Sequence, residues 1–162
     1  MAKKILILVI VLIICFWLLI GCVGNKYNAE LYYNAQAMMN VEYLKDNMTL
    51  WAEDDFVIDT SLPETRTHII KNENDFNFAF NEFPKEVDFS KKMVLIYFFT
   101  SCYPTSPYRL KKITIDSDIL YVDFQLNKAF SLGRPDASKP QQTCVVLFID
   151  ILDINSVRFK QV

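Results

Sequence analysis

Glycine is almost missing from this chain: there are three in 162 residues, and only Gly24 and Gly133 lie beyond the first 21 positions. A phosphate cradle needs several, because the backbone must come close to the phosphate where side chains would stand in the way. That excludes a Walker loop and a dinucleotide-binding fingerprint. Histidine is scarcer still. His68 is the only one, set in the alternating Arg66-Thr67-His68-Ile69-Ile70, where a structural role is expected rather than a catalytic pairing with Cys102. One histidine and two distant cysteines do not supply the three or four ligands of a zinc site, so no metal and no cofactor is expected. Positive charge is not in excess either. The formal charge is −2, and without Lys3 and Lys4 the remaining 15 basic and 19 acidic side chains make −4. Such a domain is a poor counterion for phosphates, which argues against a nucleic-acid partner.

What the chain has in quantity is aromatic residues, thirteen Phe and eight Tyr, enough to build the core of one domain of this size. It also opens with Lys3-Lys4 and an unbroken apolar run from Ile5 to Ile20. Sixteen helical residues reach roughly 24 Å, short of the ~30 Å hydrocarbon layer. Adding Gly21, Cys22 and Val23 brings the run close to spanning, so an uncleaved membrane anchor or an ordinary signal peptide competes with a lipoprotein leader. Leu19-Ile20-Gly21-Cys22 resembles the lipobox of bacterial lipoproteins, with a small residue just before the cysteine. That resemblance implies a leader over 1–21, a diacylglyceryl group on Cys22 and a tether over 22–28. A single extracytoplasmic domain would then fill 29–162, held on the outer face of the cell membrane. Two acyl chains anchor stably, since each buried methylene contributes about 0.8 kcal/mol.

Along the domain, Leu31, Ala35 and Met38, with Tyr32, Gln36, Met39 and Tyr43 beside them, give helical spacing over Ala29–Asp46. The aromatic content also suits an extended segment packed on a sheet. Phe56–Asn72 holds two strands around Ser61-Leu62-Pro63. Phe76, Ala79, Phe80 and Phe83 then fall at i, i+3, i+4 and i+7, a helix capped by Asn72 or Asn74 and stopped by Pro84. From Met93 the pattern is β. Met93–Thr100 is apolar on both faces, as a central strand is. Leu120, Val122, Phe124 and Leu126 form one apolar face, with Asp123 and Gln125 outward. The phase changes at Lys111-Lys112, which places a bulge between Leu110 and Ile113. Cys144–Leu152 is another buried strand, and Val157 and Phe159 point inward from the last. The fold class is therefore α+β, mostly β: an antiparallel sheet or sandwich of about six to seven strands with one or two short helices packed on it.

In an antiparallel meander, alternate connections lie at one end of the sheet. The connections 101–107 and 127–142 would then share an end, and ordered loops on a rigid sheet commonly carry function. Tyr103, Pro104, Thr105, Tyr108, Arg134 and Asp136 are the candidate binding residues there. Replacing Tyr103 and Tyr108 by Ala is expected to weaken binding with little loss of folding. The same geometry brings Cys102 and Cys144 to one end as a candidate disulfide, worth around 3–4 kcal/mol in the chain-entropy model, against two ordinary strand-end thiols. Carboxylates occur at Glu53-Asp54-Asp55, at Asp116 and Asp118, and at Asp150 and Asp153. Paired carboxylates can hydrolyse glycosides only at a fixed separation across a cleft. Asp150 stands out as a charge in an apolar strand, expected to pair with Lys or Arg or to end the strand.

Val87-Asp88-Phe89-Ser90-Lys91, the apolar strand after it, and Pro104, Thr105 and Tyr108 in the next loop resemble the C-terminal domain of the PrcB-type protease-complex lipoproteins. The resemblance covers about residues 66–160. Ser106 and Pro107 stand where that family has glycines before the tyrosine. It implies a small β-rich, non-catalytic module that attaches to or assists a surface protease. The alternatives are a solute- or glycan-binding lipoprotein that stacks ligand on Tyr103 and Tyr108, and, more remotely, a hydrolase using the carboxylates.

Overall fold

The fold was analysed in a computed structural model, which describes residues 27–48, 65–127, 137 and 140–162. Cys22 and the expected leader, the first of the two strands expected in Phe56–Asn72, Glu53–Asp55, Arg134 and Asp136 lie outside the described residues. The described chain is mostly β, with seven strands in two sheets and two short α-helices. The strands are β1 (Glu30–Tyr33), β2 (Arg66–Ile70), β3 (Lys92–Ser101), β4 (Tyr108–Asp116), β5 (Ile119–Leu126), β6 (Gln141–Asp150) and β7 (Ser156–Gln161). The helices are α1 (Val41–Asn47) and α2 (Glu73–Ala79), with a 3-10 turn at Ala35–Met38. One sheet has the order β1-β6-β3-β2 and is antiparallel throughout; the other has the order β4-β5-β7.

Three layers result. The helices cover one face of the four-stranded sheet, where Val94, Ile96, Phe98, Cys144, Val146 and Phe148 meet Tyr43, Phe76 and Phe80. The three-stranded sheet covers the other, where Met93, Leu95, Leu147 and Ile149 meet Leu120, Val122 and Val157. This is why β3 and β6 are apolar without alternation: both faces of both strands are buried. In β5, Leu120, Val122 and Phe124 are fully buried, and the register shifts between Leu110 and Lys112 where the phase change placed a bulge.

Two elements differ from the sequence reading. The strands do not form one meander, and β7 runs parallel to β5. The chain leaves β5 at one end, returns through β6 in the other sheet, and so begins β7 at the end where β5 began. Residues 29–46 are not one helix. β1 pairs with β6, Asn34 takes a left-handed conformation (φ 53°), and α1 starts only after Asn40, whose side chain accepts the Glu42 N–H at 3.0 Å. The open edge of β6 takes a strand at the cost of a local helix preference, since pairing and the ring contacts of Tyr32 with Phe83 and Phe148 outweigh propensity.

The helix at Phe76 is present and capped by Asn72, whose side chain accepts the Asp75 N–H at 2.9 Å. It ends at Ala79, ahead of Pro84, because the backbone there turns to bond another segment. Asn40 N–H donates to the Ala79 carbonyl (2.9 Å), Asn81 N–H donates to the Met38 carbonyl (3.0 Å), and Met39 and Phe80 form a β-bridge.

Candidate functional site

Ser101 at the end of β3 is the register partner of Gln141 at the start of β6. The segments that follow β3 and precede β6 therefore leave the sheet at the same end, the one anticipated from the sequence, although by a path between sheets. Tyr108 begins β4 there. It is 5% exposed, with its ring edge-on to Phe99 (5.4 Å) and Phe124 (5.6 Å). Its hydroxyl closes a ring of hydrogen bonds. Tyr103 N–H donates to Ser101 Oγ (2.9 Å), Ser101 Oγ–H donates to Tyr108 OH (2.7 Å), and Tyr108 O–H donates to the Tyr103 carbonyl (3.1 Å). The fully buried Thr143 donates its hydroxyl to the Pro104 carbonyl (2.9 Å), Ala137 N–H donates to the Cys102 carbonyl (3.1 Å), and Asn127 N–H donates to the Pro107 carbonyl (2.8 Å). The loop is held to both sheets along its length.

This bracing sorts the expected binding residues. Pro104 and Tyr108 are buried and hold the loop; they are not a contact surface, which corrects the sequence reading. Thr105 is exposed and Tyr103 half-buried. Tyr103 lines an open groove of about 650 Å³ with Arg109, Gln125, Leu126, Asn127 and the C-terminal Gln161 and Val162. Arg109 and Gln125 are cross-strand partners that meet guanidinium to amide. Sequence reading placed Gln125 on the outward face of its strand but assigned neither residue to a site; the β4–β5 register sets Arg109 opposite it.

The disulfide expectation is also corrected: Cys102 and Cys144 are free thiols. Cys144 is the register partner of Phe98, four residues before Cys102. At roughly 3.3 Å per residue that offset is about 13 Å, beyond the ~7 Å a disulfide can bridge. Cys144 instead faces the helices, where its S–H donates to Gln36 Oε1 at 3.5 Å. Burial pushes its thiol up to about 12.

Of the carboxylates, Asp116, Asp118, Asp150 and Asp153 sit at the opposite end. Asp150 pairs with Lys92, its neighbour across β3–β6, at 2.6 Å and is the last residue of its strand, so both expectations for it hold. That contact holds its carboxyl below the usual range. Asp118 accepts from the Asn155 side chain (2.8 Å), and its carbonyl accepts the Asn155 N–H (3.0 Å), tying the β4–β5 turn to the start of β7. Asp88, in the segment that carries the PrcB-like resemblance, forms a turn into β3. It pairs with Lys91 at 2.8 Å and accepts from Ser90 N–H and Oγ–H, and these contacts hold its carboxyl down to about 2. Among the described residues no group of three or more His, Cys, Asp and Glu side chains is placed to hold a metal ion.

His68 lies on β2 against Tyr43 (5.5 Å) and Phe98 (6.0 Å), opposite Ile96 and far along β3 from Cys102. Neither the Tyr43 hydroxyl nor His68 Nε2 has a hydrogen-bond partner among the described residues. Burial, assisted by the Arg66 charge, lowers the His68 pKa below its ordinary 6.5. The unfolded chain then binds the extra proton more readily, so His68 contributes stability that is full above about 6.5 and lost as pH falls through the lower folded value. The expected result is a thermal midpoint that drops between about pH 7.5 and 5.5, with His68→Phe flattening that slope. An unchanged slope in the variant would assign it to other groups.

No family model, curated protein or solved structure matches this chain.

Proposed function

We propose that this chain is a lipoprotein anchored through Cys22 on the outer face of the cell membrane, and that its domain is a non-catalytic protein-binding module, an accessory to a surface protease or a similar assembly. The observation that carries the reading is the polarity of the fold. The described chain enters beside Asn28, whose carbonyl accepts from Lys92 Nζ (2.9 Å) and whose N–H donates to Asp150 (3.3 Å). The braced loop leaves from Ser101, at the far end of the ten-residue β3, roughly 30 Å away. A tether at one end thus puts the loop at the other, facing away from the bilayer. Because that loop is held before it meets a partner, little ordering cost falls on association.

The second reading, a glycan- or solute-binding lipoprotein, is favoured by one observation: the Tyr103 ring borders a groove with the donors of Arg109 and Gln125. The experiment is crosslinking and pull-down of the membrane-extracted chain with mass spectrometry, beside Thr105→Arg. A stoichiometric surface protein, reduced about tenfold or more by Thr105→Arg at an unchanged thermal midpoint, is expected. Recovery of the chain alone would overturn the protein-partner reading and favour small-ligand screening by thermal shift. The same spectra report the anchor: a diacylglyceryl Cys22 N-terminus is expected, and an unmodified Cys22 within an intact leader would overturn it.

A further inference from the structure

A second surface lies on the helical face, away from the loop end. Between α2 and the segment leading to β3 runs an open groove of about 850 Å³, within the span of ligand clefts, roughly 300–1,000 Å³. Its floor is aromatic. Phe76 and Phe80 are buried at its base, while Phe83, Val87 and Phe89 are half-buried along it. The rings brace one another at centroid distances of 4.8 Å (Phe76–Phe80), 5.0 Å (Phe80–Phe83) and 5.7 Å (Phe76–Phe89), so the floor exists before any ligand arrives.

The rim is acidic. Glu73, Glu82 and Glu86 are exposed around the groove, and none has an ion-pair partner among the described residues. Lys85, the one cation on the rim among the described residues, is already engaged. Its ammonium pairs with Glu30 and lies 5.5 Å from the Phe148 ring centroid. That contact shows the chemistry this edge accommodates, a cation held between a carboxylate and a phenyl face. Three more carboxylates line the same groove as the half-buried Phe83 and Phe89, with no such cation between them among the described residues.

We infer that this groove docks a cationic, apolar peptide segment of a partner protein, with an aliphatic or aromatic side chain on the Phe83–Phe89 floor and flanking Lys or Arg at Glu73, Glu82 and Glu86. The acidic rim disfavours an anionic bilayer as occupant, and the phenyl floor gives a purely hydrophilic polycation nothing to bury. The inference does not rest on the anchor or on the loop at the opposite end.

The test uses the full chain in detergent micelles and a random displayed peptide library as probe, with Glu73→Gln/Glu82→Gln/Glu86→Gln as the variant. These side chains are exposed and the substitutions isosteric, so folding is expected to be retained. Selected peptides should carry an apolar residue flanked by Lys or Arg, and should bind the triple variant about tenfold or more weakly and lose affinity at high salt. Synthetic versions with Lys and Arg replaced by Gln should fail to bind. No enrichment, enrichment without cations, or equal binding to the triple variant would overturn the proposal. So would carbodiimide coupling of Glu82 or Glu86 to Lys3 or Lys4 of the same chain, because the occupant would then be its own N-terminal segment.

Discussion

Tyr108→Ala should lose about 3–5 kcal/mol of stability, the range for truncating a buried aromatic, while Tyr103→Ala should lose far less. Tyr108 stands edge-on to Phe99 and Phe124 with its hydroxyl spanning Ser101 and the Tyr103 carbonyl. Removing the side chain opens a cavity against two other rings and leaves those polar groups without their partner. Tyr108→Phe separates the two effects. It keeps the ring contacts and removes only the hydroxyl, which should cost about 1–3 kcal/mol, the penalty for stranded hydrogen-bonding groups. Urea unfolding of the three variants measures this. Equal losses for Tyr108→Ala and Tyr103→Ala would mean that the ring of hydrogen bonds does not hold the loop. A small loss for Tyr108→Ala alone would place Tyr108 on the surface after all. The distinction bears on function, since a Tyr108 variant that fails to bind has lost its loop rather than a contact, whereas among the described residues of that loop Tyr103 and Thr105 can report on contact.

Tyr108 also shows where sequence reading reaches its limit. A tyrosine in a proline-bearing loop serves equally as a stacking platform or as a buried brace, and the difference lies in what the opposite sheet places over it. Phe124 does that here, from a strand whose own alternation was plain. The strands with strong local signals, β3, β5 and β6, were legible because burial on one face or on two writes itself directly into the pattern. The bulge at Lys111 and the Asn72 cap were legible for the same reason, each being decided within a few residues. β1 was legible only as the extended alternative to a helix, because its partner β6 is more than a hundred residues away. The parallel β5–β7 pair was not, because it depends on an excursion through the other sheet. The acidic, phenyl-floored groove lay hidden inside a helix assignment that holds only as far as Ala79. Phe76, Phe80 and Phe83 were legible as a helix face, but the helix stops at Ala79, and Phe83 then lines the groove with Glu82 and Glu86 from an irregular, bent segment.

Alkylation under native conditions should modify Cys102 at least about a hundredfold faster than Cys144. The thiolate is the reacting species, and with the Cys144 thiol raised to about 12 its thiolate fraction at pH 8 is only on the order of one part in ten thousand. Access works in the same direction. Cys144 is 1% exposed beneath Ala35 and Gln36 on the helical face, whereas Cys102 is half-exposed at the loop end. Reaction at Cys144 therefore has to wait for the 3-10 turn to lift or the domain to open, and its rate reports the free energy of that opening. The measurement is iodoacetamide labelling at pH 8 followed by peptide mapping, repeated in urea, where the two rates should converge. Similar native rates would mean that the Ala35–Met38 turn does not cover β6. A Cys102–Cys144 peptide recovered without reductant would contradict the β3–β6 register itself, because a bond between those positions requires Phe98 and Cys144 to give up their pairing. The thiols thus test the alignment of the two central strands, and with it the placement of the loop at the end of the sheet opposite Asn28.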